Sequence, residues 1–382
     1  MRVWGGVIRT AMMAGPALAQ ATAALGDLRT PVSLGSQIEG APQPDERVVD
    51  ANEASDLLTR EPGLELGAFT LYWENDGALV KRFDSSDRHY TNGFKLEASF
   101  TQPLIPEVGT WLDSWLDLGW GGSNSGAGTG RHAGGLALAQ LMFTPEDIID
   151  PDLVEDDRPY AGFLYLSIFH QRRTERVFDH LQLDVGVVGE WAGAEGVQKF
   201  AHAAFPNEAR PEGWSEQLVN ELGVNMAYQR RWRSRQIPII WGLETDAIAQ
   251  AGFQLGNVWI NAGVGGTVRL GWRIPDDFGT IRISEFRDAT AIPNPDERWG
   301  AYGFARVSGR VVGRDMFLDG NTLADSHSVD SNPFVGDFTL GLAARYKAFE
   351  VTYSIAWLTE EFEGQEGADS FGMWGIAWNF EW

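Results

Sequence analysis

The C-terminal stretch constrains this chain more than any other. Trp374, Ile376, Trp378, Phe380 and Trp382 share one face of an extended segment, and Met373, Gly375, Ala377, Asn379 and Glu381 share the other. Large apolar side chains at every second position, with Trp at three of them, suit a strand that touches lipid and carries aromatic girdles at its edges. A chain ending on such a strand is expected to close a transmembrane β-barrel, with Trp382 in the closing strand. A soluble β-sandwich also alternates, but rarely leaves so aromatic a strand at its terminus.

The same period of two recurs upstream. Phe94, Leu96, Ala98 and Phe100 alternate with Lys95, Glu97 and Ser99; Leu181, Leu183, Val185 and Val187 alternate with Gln182, Asp184 and Gly186. Phe338 to Tyr346 and Phe349 to Trp357 repeat the pattern. The segments near 65–75, 92–101, 135–143, 162–170, 180–188, 221–232, 237–249, 256–273, 299–312, 335–347, 349–359 and 370–382 predict an all-β, antiparallel barrel of about twelve strands. Ala194, Val197, Phe200 and Ala201 break the alternation at helical spacing, predicting a short helix near residues 192–204 on a rim loop. Gly121 to Gly130 reads as a loop.

No stretch reaches the roughly 18 uncharged apolar residues that a membrane-crossing helix needs. A mean hydropathy of −0.22 does not argue against a membrane protein, because lipid-facing and lumen-facing residues average out in a barrel. The net charge of −23 opposes nucleic-acid binding. The absence of Cys removes disulfides, thiolate metal sites and thiol nucleophiles together. Arg2 and Arg9, the apolar stretch Ala11 to Leu18 and the Ala17-Leu18-Ala19 cleavage pattern predict a signal peptide over 1–19. Residues 20–62, with Pro31, Pro42 and Pro44 and no clear period, read as a flexible extension ahead of a barrel over 63–382.

Hydrolase signatures such as a G-x-S-x-G elbow or H-E-x-x-H are missing. Four polar groups stand out instead. Glu74-Asn75-Asp76 offers hard oxygen ligands of the kind calcium prefers, although Asn-Asp-Gly is also good turn chemistry. Asp87 to Gly93 leads into a strand that sends Thr91, Gly93, Lys95 and Glu97 toward the lumen side. Asp157-Arg-Pro-Tyr-Ala-Gly162 reads as an ion pair beside a proline-fixed bend. His202, followed by Glu208, is the natural general base near neutral pH, although a lone His is more often structural.

Glu74-Asn75-Asp76, Tyr90-Thr91-Asn92-Gly93, Asp157 to Gly162, and Val197-Gln198, His202, Gly213-Trp214, Gln217 and Asn220-Glu221 occur in the order seen in outer-membrane lipid A 3′-O-deacylases of the LpxR type. The chain resembles that family best over residues 64 to 232. The resemblance implies a twelve-stranded barrel with a calcium-dependent esterase that removes the 3′-linked acyloxyacyl chain of lipid A in the outer leaflet. It implies a catalytic set of Asn75, Asp76, Thr91, His202 and Glu208, with Ca2+ held by Asp76 and Glu74 and neighbouring oxygens. His202 would deprotonate water, Glu208 would orient it, and the metal would stabilise the oxyanion. The family's site lysine has no evident counterpart; Lys95 is a candidate by strand parity alone. A monomer in contact with lipopolysaccharide is expected. Two alternatives stand: a barrel phospholipase, for which Ser215 near His202 would be the nucleophile, and a non-catalytic, porin-like barrel.

Overall fold

In the computed structural model the described residues are 64–76, 89–119, 130–204, 210–279, 283 and 299–380. The signal peptide, the extension, the loop 121–129, Glu208 and Trp382 lie outside them. Twelve long strands form the wall: β1 (Leu66–Asn75), β2 (His89–Phe100), β3 (Arg131–Thr144), β4 (Ala161–Arg173), β5 (Val177–Val188) and β6 (Glu221–Arg233). They continue as β7 (Glu244–Gly256), β8 (Trp259–Trp272), β9 (Trp299–Asp315), β10 (Phe334–Tyr346), β11 (Phe349–Leu358) and β12 (Asp369–Asn379). Each pairs antiparallel with its sequence neighbours, β6 pairs with β7, and β12 returns to β1 from Ala68–Asn379 to Asn75–Gly372. The sheet therefore closes as a twelve-stranded antiparallel barrel. A two-residue strand, Ile237–Pro238, rides on the start of β7. It displaces the seventh strand from the expected 237–249 to Glu244–Gly256, because Pro238 lacks the N–H a central strand needs.

Alternation sorts side chains cleanly between the two faces. On β12, Ile376, Trp378 and Phe380 are exposed while Met373, Ala377 and Asn379 are buried. Phe69, Phe94, Leu138, Leu166, Val268 and Leu342 are likewise exposed on the outside. In water such a surface would be a strong aggregation liability; in a bilayer it is the required contact face. Phe349, Trp378 and Phe380 cluster at the lower edge, where the ring centroids of Phe349 and Trp378 are 4.7 Å apart.

Both the start of β1 and the end of β12 lie at one end of the barrel, here called lower; Asn75, His89, Glu221 and Asp369 lie at the upper end. Much of the lumen is occupied by side chains and inserted segments, with a polar cavity left between Gln229, Gln250, Asn261 and Arg306. Lys95, Glu97, Asp184 and Arg345 are all buried, as strand parity leads one to expect. From below, residues 273–279 and 283 turn into the lumen. Arg269 grips Asp246 through paired bonds of 2.8 and 2.6 Å and bonds the Asp277 carboxylate of that segment. Arg231 donates to the Phe278 carbonyl, and Phe278 stacks on Phe178. From above, α3 (Met316–Asp319) drops Phe317 onto Phe143 at 4.3 Å, so an apolar plug of Tyr72, Leu141, Phe163, Met316, Phe317 and Ile283 occupies one side of the upper lumen.

Two helices lie against the outside of the wall. α1 (Pro106–Gly119) begins on a proline at the position where a missing N–H does no harm. Its Asp113 pairs with His132 and Arg172, which share outward strand parity with the exposed Leu136 and Leu166. Outward parity thus also carries polar groups near the lower end, where Arg230 and Tyr228 close around the fully buried Asp179. α2 (Ala194–Ala204) is the expected rim helix, and it follows a short 3-10 turn, Glu190–Ala192.

Candidate active site on the upper outer wall

The ends of β1 and β2 are tied together by backbone and amide bonds. Asn75 Nδ2 donates to the Thr91 carbonyl at 3.0 Å, and the Asp76 N–H donates to the same oxygen at 3.3 Å. The β2–β3 register slips between Tyr90 and Asn92, the signature of a bulge. The Thr91 hydroxyl sits 2.7 Å from the Thr144 hydroxyl of β3. Thr144 and Met142 share outward parity, and Met142 packs with Ala194 of α2, Ile148, Tyr160 and Trp214. Thr91 therefore couples through Thr144 to the part of the outer wall that α2 covers.

Three devices hold α2 there. Gly162 leaves room for it: a Cβ on Gly162 would lie 2.6 Å from the Ala194 Cβ and 3.0 Å from the Ala192 Cβ. Gln140 Nε2 donates to the Ala192 carbonyl at 2.7 Å, and Trp214 Nε1 donates to the buried Gln198 Oε1 at 2.7 Å. Tyr160 packs on Trp214 with ring centroids 4.9 Å apart and donates its hydroxyl to the Ile148 carbonyl. Burial pushes the Tyr160 phenol well up, so it stays a neutral donor. His202 is half-buried on the last turn of α2, at the same upper end as Asn75, Asp76 and Thr91.

Glu74 goes elsewhere. Consecutive residues of a strand point to opposite faces, and Glu74 turns into the lumen. There its two carboxylate oxygens accept the Tyr90 hydroxyl at 2.7 Å and the Ile283 N–H at 2.5 Å. Asn75 is on the outward side with Trp73. Asn75, Asp76 and Thr91 are brought together; Glu74 is separated from Asn75 by the thickness of the wall. Lys95 is a lumen residue too, paired with Glu97 at 3.0 Å and lying over the Tyr72 ring. Ser215 is exposed in the turn Gly213–Glu216.

Asp157 and Arg158 do not pair with each other, contrary to the reading of their motif as a local ion pair. Asp157 accepts the N–H groups of Glu146 (2.7 Å) and Arg158 (2.6 Å) and faces His89 at 3.4 Å. Arg158, fully buried over the Phe143 ring, pairs with Glu361 from the β11–β12 loop. His89 also bonds Asp369 at 2.7 Å. Burial alone would raise the Asp157 carboxyl, but the bonds from His89 and the two N–H groups outweigh it and hold the group below its usual range. This latch joins the β3–β4 and β11–β12 loops to the start of β2. It was invisible in the sequence because its partners are 203 and 280 residues apart.

The donors around Asn75, Asp76, Thr91 and Thr144 are oxygens of amide, carboxylate and hydroxyl groups, the chemistry of a hard cation such as calcium. Among the described residues no three His, Cys, Asp or Glu side chains stand close enough to hold a metal ion, so waters or substrate oxygens would complete any shell built on Asp76.

A closed antiparallel barrel with an apolar outer band is the architecture of a bacterial outer-membrane protein. The model of the family described as outer membrane protein LpxR matches residues 51–380, and the chain belongs to that family. Among solved structures it is similar to LpxR from Salmonella typhimurium, with a TM-score of 0.65 and 21% identity, over 82% of this chain and 100% of that one. It also matches the β domain of the Bordetella autotransporter BrkA, with a TM-score of 0.39, 11% identity and coverage of 82% and 99%. No curated protein matches the chain.

Proposed function

We propose that this protein is a calcium-dependent ester hydrolase that removes the 3′-linked acyloxyacyl chain of lipid A, exported by the leader over 1–19 and acting as a monomer. The observation that carries the reading is the grouping of Asn75, Asp76 and Thr91 at the upper end of the wall, where α2 is fixed outside the barrel with His202 on it. A site outside the wall meets a bilayer lipid without passing through the lumen. With the upper rim at the outer leaflet, lipopolysaccharide reaches it by lateral diffusion.

His202 takes a proton from the attacking water, and Glu208 orients the imidazole. Asn75 and Thr91 position the ester through hydrogen bonds, their own places set by the Asn75–Thr91 and Thr91–Thr144 bonds. Asp76 would supply the protein carboxylate for calcium, which when bound supplies Lewis-acid stabilisation of the developing oxyanion. Glu74, bonded inside the lumen, would act on that centre only by fixing the end of β1. His202 hands its proton to the leaving hydroxyl of the sugar-linked fragment, restoring the base.

Mass spectrometry of lipid A from cells expressing the wild type or His202→Ala tests this. The wild type should remove the 3′ acyloxyacyl group in the presence of calcium, and the variant should be slower by about 10²- to 10⁴-fold, the usual worth of a general base. Unchanged lipid A at full expression of folded wild type would overturn the assignment. Cleavage of phospholipids lost on Ser215→Ala would favour a phospholipase instead.

A further inference from the structure

α2 has three distinct sides, and the site uses only two of them. At roughly 100° per residue, Ala194 and Gln198 form the side packed on the wall and on Trp214. Glu195, Lys199 and His202 form a second side, where Lys199 pairs with Glu195. The remaining side carries Val197 and Phe200, spaced to sit together, and the turn before the helix adds Trp191. Phe200 is 79% exposed, Trp191 69% and Val197 43%. Their side chains form no part of the latch or of the candidate site described above, while the Trp191 backbone N–H donates to the Asn220 side chain at 2.8 Å.

These residues continue a surface already defined. α2 is seated at Gly162, and Leu166, two steps of alternation further down β4 on the same outward parity, is 63% exposed. Leu222 and Val224 of β6 are exposed beside the same loop. The apolar side of α2 thus lies next to this lipid-facing band, and across the helix axis from its charged side. We propose that α2 is an interfacial helix, and that Trp191, Val197 and Phe200 insert among the acyl chains of outer-leaflet lipids. The arrangement follows the rule for helices lying in a membrane surface: one apolar edge with aromatic residues, one charged edge. It holds whether or not the hydrolase reading does. Its consequence for that reading is that the candidate site would meet acyl chains directly rather than through water.

The chain has no Cys, so a single introduced thiol is the sole labelling site. Full-length Phe200→Cys and Val197→Cys, spin-labelled and reconstituted in phosphatidylethanolamine–phosphatidylglycerol vesicles, would be compared with Leu166→Cys on the lipid band and Asp325→Cys on an exposed upper loop. Oxygen, which partitions into lipid, should broaden the labels at 200 and 197 as it does at 166. A water-soluble nickel chelate should reach them several-fold less than the label at 325. Lys199→Cys should resemble 325. Labels at 200 and 197 that match 325, or that are shielded from both reagents, overturn the proposal. The readout needs no activity, so it separates failure of this inference from failure of the hydrolase assignment.

Discussion

The lower lumen and the upper outer wall handle polar groups in opposite ways. In the lower lumen, buried cations are held at close range: Arg269 by the carboxylates of Asp246 and Asp277, and Arg231 by the Gln229 side chain and the Phe278 carbonyl. At the upper end, Asn75, Asp76 and Thr91 are tied through the Thr91 carbonyl and the Thr91–Thr144 hydroxyl contact, and His202 is half-buried on α2 at the same end. The boundary runs between two consecutive residues, Glu74 pointing in and Asn75 pointing out. Closely held interior charges stiffen the cylinder; a site built outside it would keep functional groups for a substrate. On the proposed reading the lumen is structural, and the chemistry belongs to the lipid-side surface.

Breaking the interior should give the largest effect. Arg269→Met leaves Asp246 and Asp277 buried without their cation, a change worth about 3–5 kcal/mol. Heat- and urea-induced unfolding of the detergent-solubilised barrel should register it. If the division of labour is right, the surviving folded fraction keeps its activity per molecule. Loss of activity without loss of stability would place Arg269 in the catalytic machinery and dissolve the contrast.

The contrast also explains what the sequence disclosed. Strand positions were legible because each strand has one lipid-facing row, so Phe94 to Phe100 and Ile376 to Phe380 wrote period two directly into the chain. The twelve-stranded closure followed from counting such rows. The lumen segment 273–279 and 283 has no such row, since its groups answer to Arg269, Arg231 and Glu74 on distant strands, and it was not foreseen. α1 was missed although Val108, Trp111 and Leu112 stand at helical spacing, because one short amphipathic stretch beside a Gly-rich loop reads as part of the loop. Parity placed Thr91 on the lumen side. The bulge between Tyr90 and Asn92 instead leaves its hydroxyl against that of outward-facing Thr144.

An intermediate effect should come from the seat of α2. In Gly162→Val the new side chain would run into Ala194 and Ala192, at 2.6 and 3.0 Å from the first atom alone. Overpacking of this kind costs about 1–3 kcal/mol where it cannot relax, but α2 lies outside the wall and can shift. Barrel stability should then change by less than that, while deacylation falls by about 10²-fold, as for a site misplaced by an ångström. A variant that loses stability but not activity would show that α2 is not part of the site.

The smallest effect should be confined to the latch and to acid. The Asp157 carboxyl is held below its usual range, so its bonds contribute stability at neutral pH that is lost as pH falls below about 4 and through the folded value. Protonation weakens its acceptance from the Glu146 and Arg158 N–H groups and its pairing with His89, while Arg158 keeps Glu361. The expected change is less than about 1 kcal/mol, because Asp157 is partly open to solvent. Hydrogen exchange corrected for intrinsic rates should show protection of the Glu146 and Arg158 amides declining in acid in the wild type. In Asp157→Asn that protection should already be low at neutral pH and should no longer fall on acidification. Wild-type protection that persists unchanged to pH 3 would mean that the loop is fixed by Arg158–Glu361 and Tyr160 alone. The upper rim would then be held as rigidly as the lumen, and the contrast would narrow to the few residues around Asn75.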